Sequence, residues 1–185
     1  MRDQFGGYCY LNNAAVAAQL LRHAGHAQVA LLDVDYHHGN GTQDIFYERS
    51  DVRVCNIHAD PVEEFPYFLG HGDEHGEAEG AGHNLNLPLP RGTDAATWFA
   101  AVDRGIEWLH DTSPTALVVS LGLDTFEDDP ISHFRLSRND FVSLGARLAT
   151  IALPTVLVLE GGYATAALGD NVIAVLDGFE ASAAT

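Results

Sequence analysis

Three apolar runs that each end in an acidic residue constrain the fold more than any other feature of the chain. They cover residues 31–35, 116–124 and 155–160. Each run is rich in Val and Leu, has the length of a buried β-strand and changes abruptly to acid, glycine or histidine. Open parallel α/β sheets place their chemistry where strands end. The runs therefore predict a mainly parallel sheet with polar groups gathered at one edge.

The remaining segments alternate between helix and strand patterns. Helices are expected from Asn12 or Asn13 to Gly25, at 44–47, after Asp94, at about 138–152 and after Ala164. Two further strands are expected at 52–57 and 84–88. Repeated β-α units of this kind imply a sheet covered by helices on both faces. We therefore predict a three-layer αβα fold of the α/β class, with residues 1–185 forming one domain.

Side chains suited to a metal follow the first two runs. On an extended backbone alternate residues share a face, so Asp35 and His37 are expected to point the same way. An Asp-x-His pair alone is more typical of a solvent-facing strand end, but Asp124 supplies a third group at the same edge. Two carboxylates and one imidazole, with a position free for water, are typical of a hydrolytic zinc centre. Carboxylate ligands also admit Fe²⁺ or Co²⁺.

The third run leads into Gly161, Gly162 and Tyr163. The glycines allow a tight turn, which would leave the tyrosine at the same edge as the predicted metal ligands. A phenol in that position can donate a hydrogen bond to a developing oxyanion. Tyr163 is therefore the predicted catalytic side chain.

Four segments carry a resemblance to a known family. They read GGYCYLNN at 6–13, DVDYHHGNG at 33–41, GLDTFEDDP at 122–130 and EGGY at 160–163. In this order and spacing they resemble the zinc-dependent histone deacetylase family, above all its bacterial acetylpolyamine amidohydrolases and class II-like deacetylases. The resemblance implies an arginase-deacetylase fold. It also implies hydrolysis of an acetylated amine, either an acetylpolyamine or an acetyl-lysine type of amide.

The resemblance assigns roles to individual residues. Zinc would be held by Asp35, His37 and Asp124, Tyr163 would polarise the acetyl carbonyl, and Gly7, Tyr8 and Phe65 would line the substrate tunnel. Asp33 would belong to a structural potassium site, where the family usually has a serine in place of Asn56.

One departure from the family pattern concerns proton transfer. The family carries a Pro-Gly-His-His segment shortly before the Gly-Gly-Tyr-Cys-Tyr-Leu-Asn motif, and its histidines move protons during hydrolysis. This sequence starts just after that position. His37 is assigned to the metal and His38 is expected to leave the opposite face, so His133 and His58 are the first candidates for a replacement base.

Two functions stay open for that reason. The chain is either a metal-dependent deacetylase or an impaired remnant that binds metal and ligand without significant turnover. A weaker alternative is another amide or amidine hydrolase of the arginase-like group. We further expect the family's first strands to be lacking and the edge of the strand that carries Asp35 to be bare. A bare edge invites pairing with another chain, including a second copy.

The charge balance is strongly acidic. The chain has 26 Asp and Glu against nine Lys and Arg, all nine of them Arg, and a net charge of −17. This balance disfavours direct binding to nucleic acid. Residues 59–83 carry seven acids and no Lys or Arg. Either these acids attract a small cationic acetylated amine, or they form a solvated surface.

No apolar stretch is long enough to span a bilayer, and no positively charged leader precedes an apolar region. The sequence therefore predicts a cytoplasmic protein without a membrane partner.

Overall fold

A computed structural model describes residues 6–183 and has a five-stranded, all-parallel sheet flanked by helices. The strands are β1 (Val29–Asp33), β2 (Val52–Ala59), β3 (Asn84–Leu89), β4 (Ala116–Leu121) and β5 (Thr155–Leu159). The helices are α1 (Asn13–His23), α2 (Asn40–Phe46), α3 (Ala95–His110), α4 (Arg138–Thr150) and α5 (Thr165–Ala183). The predicted α/β class with a helix-covered parallel sheet is confirmed.

The strand order is β3-β2-β1-β4-β5. The chain builds outward from β1 to β3 and then returns to place β4 on the other side of β1. The gap between the carboxyl ends of β1 and β4 is therefore the topological switch point of the sheet. Ligand sites of open α/β sheets lie at such points.

The expectation that the strand before Asp35 lies at a bare edge is wrong. β1 is the central strand, because it pairs with β2 on one side and β4 on the other. The two edge strands of the described sheet are β3 and β5. A local sequence pattern predicts a strand but does not show which strands pair with it.

The helices cover both faces of the sheet. On one face, α1 and α2 enclose an apolar cluster with Leu31, Val54 and Val118. On the other, α3, α4 and α5 enclose the larger cluster around Trp98 and Phe141. Three-layer packing of this kind buries both surfaces of a parallel sheet.

Two of the predicted helix caps are present. The Asn12 side chain accepts from the Ala15 N–H at 2.7 Å, and the Asp94 side chain accepts from the Thr97 N–H at 2.9 Å. Such caps satisfy N–H groups that the first helical turn leaves unbonded. α2 begins earlier than the predicted helix at 44–47, because its first residue is Asn40 and Gly39 is its cap. None of the helices within residues 6–183 is both long and apolar enough to cross a membrane.

Candidate active site

The segment after β1 bends instead of continuing as a strand. β1 ends at Asp33, and residues 35–37 form the bend. The Asp35 N–H donates to Asp33 Oδ1 at 3.1 Å, and the His37 N–H donates to Asp35 Oδ1 at 2.8 Å. Aspartate side chains favour turns through such bonds to nearby backbone. The sequence argument from alternating strand faces therefore used the wrong backbone conformation, although it selected the residues that meet.

The bend and the end of β4 bring the three predicted metal ligands together. One ligand atom from each of Asp35, His37 and Asp124 lies within 4.8 Å of the others. His37 Nδ1 is 2.9 Å from Asp124 Oδ2 and 3.4 Å from Asp35 Oδ1. Asp124 is completely buried.

Burial and charge make this cluster a favourable place for a cation. Burial raises the pKa of Asp124, and the nearby charge of Asp35 raises it further. Burial alone would lower the pKa of His37, but its bonds to Asp124 and Asp35 outweigh that effect and raise it. Two close carboxylates in a buried site each disfavour the other's ionised form, and a bound cation would relieve that repulsion.

The space beside the carboxylates is kept open by a glycine. A Cβ atom at Gly161 would lie 2.5 Å from Asp35 Oδ2 and 2.8 Å from Asp124 Oδ2. The donor set of one nitrogen and two carboxylates suits zinc, and also Fe²⁺ or Co²⁺. The residues present therefore fit the predicted metal.

Backbone N–H groups hold both carboxylates in place. The Gly161 N–H donates to Asp35 Oδ2 at 2.9 Å, and the Tyr36 N–H donates to Asp124 Oδ1 at 2.8 Å. Partners of this kind orient metal ligands and are part of a metal site's affinity.

Tyr163 lies on the loop after β5 and is held there by Asp129. The buried Asp129 carboxylate accepts from the N–H groups of Tyr163 at 2.7 Å and Ala164 at 3.2 Å. Burial raises the pKa of Tyr163 to about 12, with further contributions from Asp35 and Asp124. Its phenol therefore keeps its proton at neutral pH. The sequence reasoning did not identify Asp129, although an acid before Pro130 in the third motif was a usable signal.

A cavity of about 680 Å³ opens over these residues. Its lining includes most of the predicted site residues: Gly7, Tyr8, Asp33, Asp35, His37, Phe65 and Tyr163. Asp124 is not part of that lining, which its complete burial explains. The Tyr8 ring packs edge-on against the Tyr163 ring, with 6.1 Å between centroids. Glu160, which the sequence reasoning did not assign, also lines the cavity.

The residues predicted for a potassium site place two oxygens against Gly39. A Cβ atom at Gly39 would lie 2.3 Å from Asp33 Oδ2 and 2.7 Å from Asn56 Oδ1. Burial, followed by the charge of Asp35, raises the pKa of Asp33. Asn56 Oδ1 is buried and has no hydrogen-bond partner among residues 6–183. Two buried acceptors that point at one place suit a hard cation.

The two histidines proposed as replacement bases lie elsewhere. Of the described residues that line the cavity, only His37 and His38 are histidines. His58 is buried, with its Nδ1 2.8 Å from the Ala59 carbonyl oxygen, and burial lowers its pKa to about 3. His133 is half exposed, with its Nε2 3.8 Å from Glu64.

None of the acids in the segment at 59–83 lies among the described residues that line the cavity. Phe65 is the one residue of that segment in the described lining. Glu64 is buried and pairs with Arg91 at 2.6 Å. Glu74 accepts from Gln43 at 2.6 Å and from the Gly70 N–H at 2.9 Å. Two of the seven acids therefore have structural contacts rather than free charge at the cavity.

Comparison with known proteins identifies the family. The sequence matches the model of the histone deacetylase domain over residues 1–179. The chain belongs to the histone deacetylase family.

The relatives of this chain within the family include acetylpolyamine amidohydrolases. The chain is 52% identical to acetylpolyamine amidohydrolase 1 of Pseudomonas aeruginosa over 181 residues, which are 98% of this chain and 52% of the relative. It is 50% identical to acetylpolyamine amidohydrolase of Mycoplana ramosa over 176 residues, 95% of this chain and 52% of that protein. The chain thus spans about half the length of these curated relatives.

Solved structures agree with that assignment. The crystal structure of acetylpolyamine aminohydrolase from Burkholderia pseudomallei superimposes with a TM-score of 0.94 at 48% identity, over 96% of this chain and 52% of that one. A histone deacetylase homolog from Aquifex aeolicus gives 0.87 at 32% identity, over 95% and 48% of the two chains. The deacetylase fold extends through the described sheet and its helices.

Proposed function

We propose that this chain carries the metal centre and oxyanion donor of a deacetylase that hydrolyses an acetylated amine. The observation that supports this most directly is the convergence of Asp35, His37 and Asp124 with Tyr163 around one cavity at the switch point. When bound there, zinc would polarise the acetyl carbonyl and make water a better nucleophile.

The chain's own residues contribute three functions in this proposal. Asp35, His37 and Asp124 hold the ion. Tyr163 donates its phenolic proton in a hydrogen bond to the oxyanion, and its raised pKa keeps that proton available. Gly7, Tyr8 and Phe65 line the path of the acetylated side chain.

For the substrate we favour an acetylated polyamine over an acetyl-lysine peptide. The names of the relatives from Pseudomonas and Mycoplana support this choice. The net charge of −17 adds a long-range attraction for cationic amines. Asp33 and Asn56 are proposed to hold a structural potassium ion, supported by their converging buried oxygens.

A second candidate function is binding of metal and ligand without significant turnover. It is supported by the histidines of the cavity, because His37 belongs to the metal cluster and His38 Nε2 lies 3.0 Å from Gln43 Oε1. General acid-base groups supply about 10²–10⁴-fold in rate. The chain by itself is therefore expected to bind metal well and to turn over slowly.

The metal centre can be tested directly. Asp124→Ala should reduce bound zinc from about one equivalent by tenfold or more, since an open three-ligand site would keep only two ligands. Asp128→Ala removes an exposed acid of the same motif and is the matched control. Zinc content measured after dialysis should stay unchanged in the control. Equal content in both variants would exclude Asp124 from the site.

Turnover separates the two candidate functions. Zinc-loaded chain is incubated with an N-acetylated diamine and, in parallel, with a neutral acetyl-amide of similar size. Zinc-dependent release of acetate that favours the diamine supports the enzyme. Tight metal binding without release of acetate favours the binding function.

A further inference from the structure

Phe65 forms part of the cavity wall and is carried by a loop, residues 60–68, which we call the Phe65 loop. The Phe65 ring lies edge-on to the His37 ring, with 6.5 Å between centroids. Its Cζ atom would be 3.3 Å from a Cβ atom at Gly6. The position of this loop therefore sets the width of the cavity beside the predicted metal ligands.

Apolar burial does little to hold the Phe65 loop. Pro61 and Pro66 are buried, but Val62, Tyr67 and Phe68 are 76%, 61% and 62% exposed. A loop with few buried apolar side chains opens readily unless polar bonds hold it. The contacts that fix Phe65 must therefore be sought among polar groups.

An ion pair provides such a contact. Arg91 Nε donates to Glu64 Oε1 at 2.6 Å, and Arg91 Nη2 donates to the Glu63 carbonyl oxygen at 3.3 Å. One guanidinium thus binds both the side chain and the backbone just before Phe65, and its planar set of donors suits paired contacts. The Glu64 carboxylate is buried, so it needs this partner to offset the loss of water.

The backbone around Arg91 is itself held by hydrogen bonds. It forms a turn after β3, in which Thr93 Oγ1 donates to the Pro90 carbonyl oxygen at 2.7 Å. The next residue along, Gly92, donates its N–H to the His133 carbonyl oxygen at 3.0 Å. The guanidinium therefore ties the Phe65 loop to a bonded turn at the end of the sheet.

Glu64 has a second neighbour, which decides the choice of residue to substitute. The buried Tyr36 ring packs edge-on against the His37 ring, with 5.0 Å between centroids. Burial, followed by the neighbouring Glu64, raises the pKa of Tyr36. A change at Glu64 would therefore reach the residue that packs on a predicted metal ligand. Arg91 is 49% exposed and is not in the described cavity lining, so it offers the cleaner substitution.

We infer that Arg91 is a positioning residue: through Glu64 it fixes Phe65 as the wall along which the carbon chain of the acetylated amine lies. The inference rests on the proposed function, because it concerns how that site selects its ligand. Loosening the ion pair should weaken binding of an acetylated amine with a carbon chain. It should not weaken binding of an amide that has no chain to reach Phe65.

Hydrogen exchange tests the positioning without any ligand. The Tyr67 N–H donates to the Glu64 carbonyl oxygen at 3.1 Å, and the Glu64 N–H donates to the Asp60 carbonyl oxygen at 3.0 Å. Arg91→Gln should speed the exchange of both amides about fivefold, as expected when a partly exposed ion pair is lost. Arg104→Gln removes the same charge from the exposed side of α3 and should leave both amides unchanged. Unchanged exchange in Arg91→Gln would overturn the inference.

Ligand selectivity tests the consequence. The zinc-loaded parent and its variants are titrated with an N-acetylated diamine and with N-methylacetamide, which has no carbon chain beyond the amide. Arg91→Gln should weaken binding of the diamine about fivefold and change binding of N-methylacetamide by less than about twofold. Arg104→Gln shows how much the loss of one positive charge alters binding of a cationic ligand. Equal losses for both ligands would place the effect at the metal centre and contradict a role through Phe65.

A double-variant cycle shows whether Arg91 acts through Phe65. Phe65→Ala alone should weaken binding of the diamine, and adding Arg91→Gln should have no further effect, because the wall that it positions is gone. Additive losses would also overturn the inference. Circular dichroism and zinc content establish that the variants are folded. A parent chain in which zinc does not alter binding of either ligand would refute the proposed function, while the exchange rates would still decide whether Arg91 holds the loop.

Discussion

At the scale of single residues, the site is preorganised by the backbone. Both oxygens of Asp35 accept an N–H group, one from His37 and one from Gly161. Asp129 holds the loop of Tyr163 in the same manner. Side chains fixed in this way need little rearrangement when a metal or substrate binds, which is the basis of electrostatic preorganisation. The geometry also explains why glycines precede Tyr163, since a Cβ at Gly161 would enter the carboxylate cluster.

Tyr163→Phe is predicted to lower kcat for an N-acetylated diamine by about 10²-fold or more, because the proposed oxyanion donor is lost. The ring and its contact with Tyr8 remain, so KM should change little. Tyr67→Phe, at an exposed residue outside the cavity lining, is the control. Steady-state acetate release measures both variants as ratios to the zinc-loaded parent chain. Equal kcat in the phenylalanine variant and its parent would remove Tyr163 from the reaction.

His58 is predicted to make the fold sensitive to acid. Burial and then the neighbouring His38 lower its pKa to about 3, from an ordinary value of 6.5. Below pH 6.5 the His58 imidazole binds a proton in the unfolded chain but not in the folded chain. The free energy of unfolding therefore falls as the pH falls toward 3. One such group contributes about 1.4 kcal/mol per pH unit within that window.

His58→Gln should therefore flatten the dependence of unfolding free energy on pH between 6.5 and 4, by about that slope. The raised pKa values of Asp33 and Asp124 act in the opposite sense, so the difference between variant and parent is the quantity to measure. His110→Gln, at the exposed end of α3, serves as the control. Urea unfolding at several pH values gives the slopes. Parallel profiles for the parent and His58→Gln would contradict the assignment.

At the scale of elements, α4 and α5 cross with their backbones in contact. A Cβ atom at Gly145 would lie 2.0 Å from the Val175 carbonyl oxygen, and one at Gly178 would lie 2.0 Å from the Val142 carbonyl oxygen. The two glycines therefore allow a closer approach than any other residue would. This close pair of helices covers β4 and β5 on the face of the sheet opposite α1.

Gly178→Ala is predicted to destabilise the chain by about 1–3 kcal/mol, because the added methyl forces the helices apart. Gly169→Ala in the same helix meets no atom within 4 Å and should stabilise by up to about 1 kcal/mol through helix propensity. Urea midpoints of the two variants should therefore move in opposite directions. Similar shifts of the same sign would show that the helix crossing does not depend on Gly178.

At the scale of the whole molecule, local sequence patterns predict the helices and strands better than they predict which strands lie next to each other. The helix caps at Asn12 and Asp94 can be predicted from sequence, because capping is a local hydrogen bond between residues three apart. The central position of β1 cannot be predicted from local sequence, because strand order depends on connections between distant parts of the chain. The bend at Asp35 was missed for a related reason, since an apolar run does not show where pairing stops.

The same limit applies to the candidate site. Asp35, His37, Asp124 and Tyr163 could be selected because strand ends of one sheet meet at one edge. Their roles stay predictions. The structural contacts of Glu64 and Glu74 could not be anticipated, because a run of acids reads as a solvated surface until its long-range partners are known.

The final prediction concerns the net charge of −17. Like charges on a compact chain repel, and salt screens that repulsion over about 10 Å at 0.1 M. Raising NaCl from about 10 mM to about 0.3 M should raise the melting temperature by about 2–4 °C, as expected for a gain near 1 kcal/mol in a chain of this size. Choline chloride should act equally if the effect is screening.

Neutralising Asp73, Glu77 and Glu79, which are exposed, should reduce this salt dependence without changing the measured zinc content. A melting temperature that does not change with salt concentration would show that repulsion among the acidic residues does not destabilise the fold.

Potassium provides an internal comparison. A larger rise in KCl than in NaCl or choline chloride, abolished by Asp33→Asn, would identify a bound cation at Asp33 in addition to screening. Equal rises in all three salts would argue against that cation, because a ligand stabilises only the state that binds it.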